Sequence, residues 1–172
     1  MSFAPDYIEP RLAWRIWKAE EREGFVYLGS LFHQSLWPVN EPLVAQCNGW
    51  RAPWRRRRSQ RHSAPKWSCQ CGIYASSLRH LDRHYLRTRI PREGITILGR
   101  VSLWGEVVEC EWGWRASHAY PERLFVPQPP RDAALAEWIA KSLEGYGVPV
   151  EIVEATSSRA LIAELGASYA LA

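Results

Sequence analysis

No stretch of this chain approaches the run of about 18 apolar residues that a membrane-spanning helix needs. The opening residues, MSFAPDYIEPRLAWRIW, also lack the charged-then-apolar pattern of a secretory leader. A soluble, cytoplasmic protein with no membrane partner is expected. Also missing are a Walker phosphate loop, a GxGxxG opening a helix, a nucleophile elbow and an HExxH pair. The commonest signatures of nucleotide-dependent, hydrolytic and zinc-protease enzymes are therefore absent, and enzyme activity is not the leading expectation. There is no internal repeat and no long low-complexity tract. Cysteine is sparse: four thiols in an intracellular chain of 172 residues point to reduced side chains or a metal before disulfides.

That length suits one domain with a proper core and is short for two. The net charge of +4 conceals an asymmetry. Residues 1–90 hold 15 Lys and Arg against 7 Asp and Glu, while residues 91–172 hold 7 against 11. A basic half joined to an acidic half suggests an anionic partner on one face. Nucleic acid is the commonest such partner, and an acidic protein surface satisfies the same electrostatics.

Arg11–Trp17 and Gly24–Leu31 read as strands of a hairpin, separated by a charged turn from Lys18 to Glu23. Trp37-Pro38 and Glu41-Pro42 mark a loop before the short apolar stretch Leu43–Ala45. Asn48 to Lys66 is Arg-rich, contains Gly and two prolines, and reads as a loop. Ser76 or Ser77 is placed to cap a helix that Pro91 would stop. On that helix Leu78, Leu81 and Tyr85 share a core-facing side, and Arg79, Arg83 and Arg87 line another. Pro127, Pro129 and Pro130 separate a β-rich body, 1–126, from an appendage, 127–172. In the appendage Asp132 caps a helix with the stripe Leu135, Trp138, Ile139 and Leu143, which Gly145 ends. Val148–Val153 is a strand candidate, and a last helix from Ser157 or Ser158 carries Leu161, Ile162 and Leu165 to a stop at Gly166.

The most patterned region runs from Gly99 to Pro121, GRVSLWGEVVECEWGWRASHAYP. Val101, Leu103, Val107, Cys110, Trp112 and Trp114 fall mostly at a period of two, and Gly105 interrupts them where a bulge or tight bend is expected. Two short strands or one bent strand follow from that pattern. Together with Cys69-Gln-Cys-Gly-Ile-Tyr-Ala75, this run resembles an actinobacterial family with the motifs CxCGIYA and GxVxLWGxVxxHExGxRAExAYP. The resemblance spans Trp14 to Leu124 and implies no established activity. Cys110 stands where that family carries His and Ser117 where it carries Glu, so a role built on that pair does not carry over.

Cys47, His62, Cys69 and Cys71 are spaced C-x14-H-x6-C-x-C, a candidate Cys3His set for a closed, structural zinc site. Such an ion would give shape to an Arg-rich loop that has almost no core residues of its own. In a regular strand Cys69 and Cys71 would face the same way. The alternative is that the thiols are small reduced core residues and His62 is a surface side chain.

Within the same loop, Arg51, Arg55, Arg56, Arg57, Arg58 and Arg61 are interleaved with Trp50 and Trp54. Guanidinium groups pair with phosphates and tryptophan stacks on exposed bases, so this composition suits DNA or RNA. The Arg79, Arg83 and Arg87 face would extend the patch. An adaptor docking on an acidic protein, or a solvated surface, accounts for the same charges.

Most of the ten tryptophans must be core, but Trp104, Trp112, Trp114 and Tyr120 are candidates to line an aromatic pocket for a small or modified ligand. Glu106, Glu109, Glu111, Cys110 and His118 bring carboxylates, a thiol and an imidazole to one region, where exposed charges alternating with a buried face are the simpler reading. The expected fold is α+β: a small twisted antiparallel sheet or half-open β-barrel, a basic helix and a C-terminal helical segment. The expected function is a non-enzymatic nucleic-acid-binding module. It would neutralise the backbone and stack aromatic rings on bases, with little base-edge specificity.

Overall fold

The computed structural model describes residues 9–31, 35–47, 62–84, 95–128, 132–155 and 158–169. The patterned region forms two long strands, β5 (Thr96–Cys110) and β6 (Gly113–Gln128), turned at Glu111 and Trp112. They are longer than the sequence suggested, because Pro121 and Pro127 are accommodated within β6. Gly105 marks a register shift between Trp104 and Val107. Its φ is +75°, and a Cβ there would collide with Ser117 Oγ. That hydroxyl fills the bulge, accepting from Glu106 N at 2.9 Å and donating to Trp104 O at 3.2 Å.

Strand β1 (Arg11–Arg22) lies antiparallel to β5 and to β2 (Phe25–Gly29). The charged segment expected as a turn is therefore strand. Its period of two puts Lys18, Glu20 and Arg22 on one face, where Glu20 bridges Lys18 at 2.9 Å and Arg22 at 2.5 Å. The turn is made by Glu23 and Gly24, with φ of 53° and 81°.

One edge of β6 is occupied by β5, and the other is shared in succession. Strand β4 (Ile73–Ser76) pairs with Gly113–Ala116, β3 (Leu43–Val44) with His118 and Ala119, and β7 (Val150–Glu154) with Leu124–Gln128. Trp14 bridges Ser76, so β1, β5, β6 and β4 close a ring of hydrogen-bonded strands. The fold is α+β on a seven-stranded sheet. The sheet is mixed, not wholly antiparallel: β7 runs parallel to β6 because helix α2 (Ala133–Leu143) makes the crossover between them.

Inside the ring Trp17 and Trp37 meet edge to face at 5.2 Å, packed with Val101, Leu124 and the α2 residues Ala136, Ile139 and Leu143. Trp138, placed on the same stripe from sequence, is 37% exposed, since it lies about 200° round the helix from Ala136. The helix continues past Leu143 into a 3-10 turn, Glu144–Tyr146, and stops at Gly147 with φ +68° instead of at Gly145. On the opposite face, Leu81 of α1 (Leu78–His84) and Leu161, Ile162 and Leu165 of α3 (Ser158–Tyr169) cover Ile16, Leu98 and Phe125. Helix α3 runs through Gly166, where an added Cβ would meet nothing, so glycine alone does not end it.

Candidate metal centre

Along the shared edge of β6, the Ala45 N–H donates to Ser117 O at 2.7 Å and Ile73 lies opposite Ala116. The chain leaves β6 after Ala45 and rejoins it, one residue further on, at Ile73. Cys47 begins this excursion, His62 lies within it, and Cys69 and Cys71 end it. Their ligand atoms all lie within 4.8 Å of one another.

Cys47 Sγ is 3.8 Å from Cys69 Sγ, and His62 Nε2 is 3.3 Å from Cys71 Sγ. A disulfide would need about 2.05 Å. A tetrahedral ion with metal–sulfur bonds of about 2.3 Å gives ligand–ligand edges of about 3.8 Å. The four donors are compatible with a metal site, and all four cysteines are free. Cys69 and Cys71 precede β4 and do not sit in it, yet both thiols enter the cluster. The Cys69 thiol is pulled down to about 7, foremost by a hydrogen bond from the Cys71 backbone and further by Cys71, Cys47 and His62 side chains. Burial pushes the Cys71 thiol up. The cluster thus favours a first thiolate at Cys69.

The loop carrying these donors is held from beneath by Arg115, whose side chain is buried at 6% exposure on β6. Its Nη1 donates to Cys71 O at 2.8 Å and to Cys69 O, and reaches Lys66 O at 3.5 Å; its Nε donates to Cys110 Sγ at 3.2 Å. A buried guanidinium demands such partners, and β4 supplies the register by setting Tyr74 opposite Arg115. Gly72 permits the close approach: at φ +125°, its added Cβ would lie 3.0 Å from Arg115 Cβ and 3.1 Å from Pro65 Cβ. Ala64 and Pro65 are themselves buried.

Arg51, Arg55, Arg56, Arg57, Arg58, Arg61, Arg87, Trp50 and Trp54 lie outside the described residues. Arg79 is exposed on α1, and Arg83 belongs to the same helix. The pocket candidates take separate neighbours. Trp104 stacks on His118 at 5.9 Å, exposed Trp112 stands edge-on to His80, and Trp114 lies beneath the Arg11 guanidinium at 4.6 Å. Tyr120 donates to Tyr146 O at 2.9 Å and accepts from Asn40 N at 2.8 Å. An open groove of about 430 Å3 lies elsewhere, lined by Phe25, Tyr27, Leu36, Trp37, Val39 and Gly145. Glu106, Glu109 and Glu111 are exposed, His118 accompanies Ser117, and Cys110 is engaged by Arg115.

Two residues escaped the sequence reading. Arg115 lay inside the recognised Arg-Ala-x-x-Ala-Tyr-Pro run, but nothing local marks an arginine on a strand as buried. Trp67, 79% exposed between His62 and Cys69, was one tryptophan among ten. No helix among the described residues is long and apolar enough to cross a membrane. The chain matches no protein-family model, no curated protein and no solved structure at a significant level.

Proposed function

We propose that this protein is a non-enzymatic nucleic-acid-binding module in which a structural zinc ion, held by Cys47, His62, Cys69 and Cys71, clasps the base of the Arg-rich segment. The observation that carries this reading is the convergence of four soft donors at the two ends of that segment: Cys47 stands just before residue 48 and His62 just after residue 61. The segment must leave and return at one point, so its arginines are tethered to a single place on the body.

Three thiolates and a neutral imidazole on a divalent ion leave a net single negative charge, which the Arg115 guanidinium offsets from behind the loop. With all four positions filled by protein, the ion supplies a crosslink and no open site for substrate. Arg55, Arg56, Arg57, Arg58 and Arg61 then supply phosphate contacts, extended by Arg79, and Trp50 and Trp54 supply aromatic faces. Free thiols suit a reducing cytoplasm.

The test is binding of the protein, purified without chelator, to labelled DNA and RNA across a salt series, with metal content read on the same sample. One zinc per chain, and a log K that falls linearly with log salt, are expected. Absence of metal removes the clasp. Absence of binding at low salt removes nucleic acid as the partner and turns the search to an acidic protein.

A further inference from the structure

The loop between His62 and Cys69 displays a ring that packing does not explain. Trp67 is the most exposed of the large hydrophobic side chains described, at 79%. Its backbone is nevertheless fixed. Trp67 and Ser68 form the centre of a turn closed by Cys69 N donating to Lys66 O at 2.9 Å. The same Lys66 carbonyl is approached by Arg115 Nη1, and Ala64 and Pro65 anchor the preceding chain in the body. The indole is therefore held out on a pinned turn at the metal cluster.

Its immediate surroundings choose the kind of partner. Lys66, Ser68 and Gln70 are all exposed and polar, so the ring stands alone and is not part of an apolar patch of the kind a protein interface buries. A lone indole with a cation beside it matches the face of a nucleobase, with phosphate on the lysine. Bases paired in a duplex are stacked on one another and offer no free face; bases in a single strand do.

We infer, resting on the nucleic-acid reading above, that Trp67 is a stacking platform for an unpaired base and that the module prefers single strands to duplex. Lys66 supports it with a phosphate contact. Because the indole touches solvent over most of its surface, its removal should leave the fold intact.

The experiment is fluorescence anisotropy with labelled oligo-dT, oligo-U and a hairpin duplex, comparing the full chain with Trp67→Ala, Trp67→Phe and the Arg55 to Arg58 quadruple alanine variant. Thermal melting of each variant checks the fold. Trp67→Ala should weaken single-strand binding roughly 5- to 150-fold while changing duplex affinity less than about twofold, and Trp67→Phe should recover part of the loss. The salt slope should be unchanged, since no phosphate contact of the arginines is touched. Unchanged single-strand affinity in a folded Trp67→Ala protein overturns the inference and leaves the clasped-arginine reading standing. So does an equal loss on single strand and duplex. If wild type binds neither, both fall together. If the arginine variant alone loses all binding, the module is electrostatic and Trp67 has no part in it.

Discussion

Ala45 and Ile73 are neighbours along β6: the Ala45 N–H bonds Ser117 O at 2.7 Å, and Ile73 pairs with the next residue, Ala116. In effect β3 and β4 are one strand interrupted by residues 46–72. The candidate metal ligands lie near the two ends of the interruption, where a splice would hold the halves in register. Ser117, opposite the break, also fills the β5 bulge at Gly105.

If the ligands splice the edge, Cys47→Ser and Cys69→Ser should each lose bound metal and lower the melting temperature by about 5 °C or more, equivalent to roughly 2 kcal/mol in a chain of this size. Hydrogen exchange at the Ala45 amide should quicken, while the amides of the β5–β6 hairpin keep their protection. Elemental analysis, calorimetry and exchange of the same samples check this; retained metal in both variants would reject the ligand set.

Arg115→Lys keeps the charge but loses the fork that reaches two cysteine carbonyls and the Cys110 thiol at once. A destabilisation of about 3 kcal/mol in urea is expected from the orphaned acceptors. Metal affinity, read by competition with a chromogenic chelator, should fall roughly 10- to 100-fold, as for a lost outer-shell partner.

Tyr146 carries a pH signature away from the site. Burial pushes its hydroxyl up to about 12, and it donates to Trp37 O at 2.9 Å while accepting from Leu28 N at 3.1 Å. The unfolded chain releases this proton near pH 10, so between pH 10 and 12 the native state holds a proton the unfolded state has lost, and stability falls as pH rises. The loss should approach 2–3 kcal/mol by pH 12. Tyr146→Phe should remove that part of the slope and cost about 1–3 kcal/mol at neutral pH by orphaning the Leu28 N–H and the Trp37 carbonyl. Identical pH slopes for the two proteins would contradict it.

Gly105 and Gly24 share a positive φ but differ in space: a Cβ at Gly24 meets nothing within 4 Å, whereas one at Gly105 collides with Ser117 Oγ. Gly24→Ala should cost about 1 kcal/mol of backbone strain, and Gly105→Ala clearly more. Parallel denaturation curves decide the order.

For the arginines, replacing Arg55 to Arg58 with Ala should reduce the slope of log K against log salt on duplex DNA by up to about 3. Stability should be unaffected. An unchanged slope would place the anionic contacts elsewhere.

The sequence by itself carried the α+β class, the β1–β2 hairpin, the bulge at Gly105 and the four candidate ligands. Each rests on local information: alternation says which side chains share a face, a glycine marks where the ladder must break, and a thiol or imidazole is a donor wherever it lies. The ends of elements were less legible. Pro127 and Gly166 do not stop β6 or α3, because neither residue blocks its element where its own backbone fits.

Only the tertiary structure decided what meets what. Whether Cys47 reaches Cys69 depends on β3 and β4 taking successive stretches of one edge of β6. Whether β7 runs parallel depends on α2 crossing the core. Arg115 is buried because β4 lays the cysteine loop over it, and Trp67 is displayed because that loop is pinned beneath. Those outcomes follow from long-range register and from the cost of burying a charge without partners, which no window of neighbouring residues contains.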